Sequence, residues 1–71
     1  MKIYKVKQDY ETANAYETAD PLQLSIDLVD YLWENFENDI PNHEYIFKSL
    51  ESLKIGESVF FKDITITAVT M

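Results

Sequence analysis

The chain has 71 residues, a net charge of −7 and a pI near 4.4, with no arginine and no cysteine. That length leaves room for one small acidic domain, residues 1–71, and excludes a multidomain machine. The acidic balance and missing arginine disfavour direct binding to nucleic acid or an anionic membrane, because approach to a polyanion costs Coulomb repulsion; the lack of cysteine removes disulfides and thiolate metal sites and suits a reducing, cytoplasmic setting.

Apolar residues make up 46% of the chain and aromatics 14%, enough to build a core and to exclude a disordered polyelectrolyte. The longest apolar run, Val59-Phe60-Phe61, falls far short of the ~20 residues a membrane span requires. Lys2, Lys5 and Lys7 are not followed by an apolar stretch, so no signal peptide is expected.

Met1–Gln8 reads as a first strand, with Ile3, Tyr4 and Val6 favouring extended backbone and the interleaved lysines suiting a half-exposed or edge position. Tyr10-Glu11-Thr12-Ala13 then returns as Tyr16-Glu17-Thr18-Ala19. A six-residue offset keeps the two copies on one face of a strand but on different faces of a helix, and it is too short for a modular repeat. Residues 9–14 are expected to be mostly turn and Ala15–Ala19 a second strand, with Glu17 across from one of the lysines.

Asp20-Pro21 has the chemistry of a helix start, an N-cap acceptor followed by proline in the first turn. A helix is expected over Pro21–Asn38, burying Leu22, Ile26, Val29, Leu32, Trp33 and Phe36 on one face. Ile40-Pro41 breaks it, since the residue before proline is pushed out of the α region. Asn42 then caps a shorter helix over His43–Lys54, with Ile46, Phe47, Leu50 and Leu53 buried, a Glu44–Lys48 pair outside and Gly56 as the left-handed residue at its end.

The last third reads as a hairpin, Ser58–Phe61 and Ile64–Val69 around Lys62-Asp63. A two-residue loop would pair Phe61 with Ile64 and Val59 with Ile66, all on one side. Lys-Asp is a poor primed-turn sequence, so a longer or bulged loop is the competing expectation. The expected fold is α+β in two layers, element order ββααββ, with an antiparallel sheet covered on one face by two helices.

No catalytic constellation is evident. His43 is the only histidine and sits at a predicted helix start with no nucleophile placed beside it, and one glycine cannot make a phosphate-cradling loop. No cofactor and no metal are expected, because carboxylates on a straight helix face do not converge as an oxygen-ligand site requires.

The least ordinary feature is electrostatic. Between Gln8 and Phe47 the chain holds ten carboxylates and no lysine. Asp27, Asp30, Glu34 and Glu37 follow an i, i+3, i+7, i+10 pattern, one stripe on the first helix. Their ordinary role is that of a solvated face that keeps a protein in solution. The sharper reading is a docking surface for a basic protein partner, with Tyr31 alongside, because interleaved lysines are missing and the field would attract a cationic groove. Four charges over about 15 Å of helix are too sparse to imitate duplex DNA, with its one charge per ~1.7 Å.

Leu24, Leu28 and Phe60 fall off the expected core stripes; Leu24 and Leu28 either pack under the second helix or join Phe60 as candidates for an apolar interface to a partner or a second copy. In size and acidity the chain resembles inhibitor proteins carried by phages and mobile elements, a likeness of composition that supplies no site residues. The expected function is a non-enzymatic protein-interaction module, an inhibitor or regulator of a basic, nucleic-acid-handling partner; the alternative is a small accessory subunit or homodimer.

Overall fold

The computed structural model describes residues 1–8, 11–36 and 38–70, and of residues 11–16 the backbone only. The elements run β1 (Lys2–Gln8), β2 (Glu11–Thr18), α1 (Pro21–Asn35), α2 (His43–Ser52), β3 (Ser58–Phe61) and β4 (Ile64–Thr70). The class is α+β, with the strand, helix and strand order expected from the sequence. The chain divides into two compact units, a sheet unit of Met1–Ala19 with Leu53–Met71 and a helical unit of Asp20–Ser52.

The sheet is antiparallel throughout, in the order β2-β1-β4-β3. β1 is therefore an interior strand, and Lys5 and Lys7 are exposed from the sheet's face rather than from an edge. Tyr4 lies opposite Ala68 and Val6 opposite Ile66, and Ile66 is also opposite Val59. Tyr4, Val6, Ile64, Ile66, Ala68 and Phe61 are buried, while Lys5, Lys7 and Phe60, of the opposite parity, are exposed. The period of two thus sorts an apolar face from a mostly polar one; Ile3, of the parity of Lys5 and Lys7, is buried as well.

Lys5 lies across from Glu17, their charged groups 4.0 Å apart, as the sequence suggested. β2 begins at Glu11, earlier than expected from sequence. From Tyr16 back to Glu11 it covers five steps while β1 covers two, Val6 to Gln8, a surplus of three residues on β2. Residues 11–13, in the first copy of the Tyr-Glu-Thr-Ala phrase, thus lie in an irregular stretch of strand. Asp9 and Tyr10 lie outside the described residues.

The β3–β4 register is the expected one, Phe61 with Ile64 and Val59 with Ile66, closed by the two-residue loop Lys62-Asp63. Lys62 takes φ +57° to make that loop, a left-handed conformation that ordinarily calls for glycine or asparagine. The Gln8 side-chain amide donates to Asp63 Oδ2 at 3.0 Å, tying the loop to β1.

Gly56 does not end α2, which stops at Ser52. Instead the Glu57 amide donates to the Lys54 carbonyl at 2.9 Å, with Gly56 at φ +92°, the third residue of a type II turn. The Gly56 amide donates to the Ala68 carbonyl and the Ala68 amide to the Glu57 carbonyl, at 2.7 and 3.0 Å. Two residues therefore oppose one, a glycine-led β-bulge at the entry to β3. The Glu57 carboxylate adds a bond from the Lys54 amide at 2.8 Å.

In the helical unit both caps are as the sequence specifies. Asp20 Oδ1 accepts from the Leu22 and Gln23 amides, each at 3.1 Å, with Pro21 in the first turn. Asn42 Oδ1 accepts from the Tyr45 amide at 2.8 Å. α1 ends at Asn35, three residues earlier than expected; Phe36 is already extended at φ −136° and donates its amide to the Leu32 carbonyl.

The buried face of α1 corrects the sequence expectation. Leu24, Ser25, Leu28 and Leu32 are buried, while Leu22, Ile26 and Trp33 are 51, 41 and 63% exposed. Leu24 and Leu28 are thus core residues, the first of the two roles the sequence allows them, and are unavailable as an apolar interface. Ser25 tolerates full burial because its hydroxyl donates to the Leu22 carbonyl at 2.7 Å. α1 packs against α2, whose Ile46 and Leu50 are fully buried. Glu44 and Lys48 form the expected pair, 3.3 Å apart and well exposed.

Candidate functional site

α1 presents three rows of side chains. At about 100° per residue, Asp27, Asp30 and Glu34 cluster in one row, joined by Gln23. The buried row of Leu24, Leu28 and Leu32 lies about 130° away in one direction, and Leu22, Ile26, Val29 and Trp33 lie about 90° away in the other. The apolar arc of α1 is therefore too broad for one core contact, and burial takes only the half centred on Leu28.

All three carboxylates are exposed. Asp27 accepts from the Gln23 side-chain amide at 2.9 Å, which steadies it without neutralising it. Among the described residues neither Asp30 nor Glu34 has a lysine partner, and α1 contains no basic residue. Tyr31 sits half-buried between the carboxylate row and the core row. Glu37 lies outside the described residues. The three described charges span about 10 Å of helix, again far sparser than a duplex backbone.

The division into units sharpens the electrostatic picture. The sheet unit contains Lys2, Lys5, Lys7, Lys54 and Lys62 against Asp9, Glu11, Glu17, Glu57 and Asp63, and sums to zero. The helical unit contains Asp20, Asp27, Asp30, Glu34, Glu37, Asp39, Glu44 and Glu51 against Lys48, and so carries the whole −7 of the chain. Glu17, counted from sequence among the ten acids, belongs to the neutral unit and faces Lys5.

Other chemistry is thinly represented. His43 is exposed at the first turn of α2, and among the described residues no three His, Cys, Asp or Glu side chains are grouped to hold a metal ion. No described helix is long and apolar enough to cross a membrane. Phe60 stands outward on β3 at 68% exposure, opposite Thr65, as its parity in the hairpin implies.

The exposed apolar row of α1 is the surface that sequence reasoning missed. Its signal was present in the carboxylates themselves, since a helix buries the side facing away from its charges. The side opposite Asp27, Asp30 and Glu34 carries Leu28, Leu32 and Ser25, not Leu22 and Trp33. No protein-family model, no curated protein and no solved structure matches this chain.

Proposed function

We infer that the protein is a non-enzymatic interaction module whose helical unit engages a basic protein partner, and that it acts as an inhibitor or regulator of that partner. The observation that carries this reading is the concentration of the entire net charge in Asp20–Ser52, with Asp27, Asp30 and Glu34 exposed in one row of α1 and no lysine on that helix. Self-repulsion of this kind costs stability, and a cationic surface would relieve it. Nucleic-acid-handling proteins supply such surfaces, because their grooves are lined to neutralise phosphates. An acidic helical unit seated there would exclude the nucleic acid.

The test begins with affinity capture from the native cell and identification of the bound protein. Reversing Asp30 and Glu34 to lysine should then slow association with that protein by about tenfold at low salt and flatten the salt dependence of the rate. The captured protein should also lose its hold on an oligonucleotide as the acidic chain is added. Unchanged association after the double reversal would overturn the acidic-face reading.

A further inference from the structure

Leu22, Ile26, Val29 and Trp33 follow one another along α1 at intervals of four, three and four residues. That is the heptad rhythm by which one helix offers a seam to another, with the four residues taking d, a, d and a positions. Leu22, Ile26 and Trp33 are exposed, Trp33 the most, and Val29 is half-buried. One flank of the seam is closed, because Ser25 and Leu32 on that side are buried. The open flank holds Gln23 and Asp30 at e positions, with Asp27 and Glu34 beyond them.

We propose that this seam is the docking surface for an amphipathic, basic helix of a partner protein. The spacing argues for a helix as the occupant. The row extends about 16 Å, three turns, which is enough to seat a short segment and too little for a free-standing coiled coil. The flank decides the charge of the occupant: a lysine or arginine opposite Asp30 finds an unpaired carboxylate and no cation on α1 to compete with it. An anionic membrane is disfavoured, because interfacial helices carry lysine and arginine beside their apolar face. A second copy is disfavoured too. An antiparallel two-fold pairing of the seams brings both carboxylate flanks onto one edge, and any pairing joins two helical units that each carry −7. The proposal deepens the reading above, on which its charge component rests.

The experiment uses the full chain and a synthetic leucine–lysine peptide of about 18 residues, its leucines at heptad spacing, with a scrambled peptide of the same composition as control. Trp33 is the only tryptophan and lies in the seam, so it reports directly. The periodic peptide should shift Trp33 emission to the blue and shield it from acrylamide, with a Kd on the order of 10 µM at low salt. Leu22→Ala with Ile26→Ala, both exposed positions on a helix that alanine favours, should leave circular dichroism unchanged and weaken binding at least about tenfold.

Equal binding of the scrambled peptide, or no binding of the periodic one, overturns the proposal. Binding that survives the alanine pair but is lost on Asp30→Lys with Glu34→Lys overturns the seam and leaves the acidic reading standing. Loss on the alanine pair alone keeps the seam and removes the acidic reading. Concentration-dependent dimerisation that shields Trp33 without peptide overturns the proposal in favour of a second copy.

Discussion

The sheet unit and the helical unit solve the same problem, burying enough apolar surface in a short chain, and they dispose of charge in opposite ways. In the sheet, two of the three lysines of β1 are set among groups that answer them. Lys5 faces Glu17, and the Lys2 ammonium donates to the Leu53 carbonyl at 2.9 Å and lies 5.3 Å from the centre of the Tyr4 ring. The sum over that unit is zero. In the helical unit only Lys48 offsets eight carboxylates. Both units expose large apolar side chains, but Met1, Ile55 and Phe60 come from separate stretches of the sheet unit, whereas Leu22, Ile26 and Trp33 line one row of α1. One unit has the balance of a scaffold. The other has the unbalanced charge and the exposed apolar row on which the proposed partner surface rests.

The comparison breaks most visibly at two adjacent positions of α1. Leu32 is fully buried and Trp33 is 63% exposed. Leu32→Ala should cost about 3 kcal/mol of folding stability, while Trp33→Ala should change it by no more than about 0.5 kcal/mol. Urea denaturation followed by circular dichroism measures both. Comparable losses would place Trp33 in the core and erase the seam.

That pair also shows how far the sequence could be read. Caps, breaks and strand periods were legible because each depends on a few neighbouring residues: Asp20-Pro21, Ile40-Pro41, Asn42 and the alternating Ile64-Thr65-Ile66-Thr67. The carboxylate row was legible for the same reason. The phase of α1 was not, because apolar residues occupy more than half of its circumference and periodicity alone does not choose between two overlapping stripes. The sequence marks Gly56 as a left-handed residue but does not distinguish a helix end from a type II turn leading into a bulge, since both make the same demand on one residue.

The sheet unit has its own sensitive points, of smaller size. Gly56 and Lys62 both occupy positive φ, and only one of them is glycine. Gly56→Ala meets nothing within 4 Å, so its cost should be the backbone term alone, about 1–2 kcal/mol. Lys62→Gly should stabilise by about 0.5–1 kcal/mol, the relief of a left-handed side chain less the extra freedom glycine has when unfolded. A destabilising Lys62→Gly would show that the lysine side chain contributes more than its backbone costs.

The smallest expected effect concerns the charge itself. Raising ionic strength to about 0.2 M should raise the melting temperature by a few degrees at most, because screening relieves repulsion among the helical carboxylates. Asp30→Lys should reduce that salt sensitivity, whereas Glu17→Lys, which sets a second cation against Lys5, should not. A melting temperature that falls on adding salt would contradict the uncompensated charge of the helical unit.

The strand order carries a consequence for how the molecule comes into being. β1 and β4, the first and last strands, lie side by side at the middle of the sheet, with Lys2 opposite Thr70. The two helices, by contrast, are consecutive and contiguous in the chain. During synthesis the helical hairpin can assemble from residues already delivered, but the central ladder must wait for β4 to clear the ribosome. Until then β1 presents an unsatisfied edge, and the nascent chain at that stage is the form most exposed to mispairing.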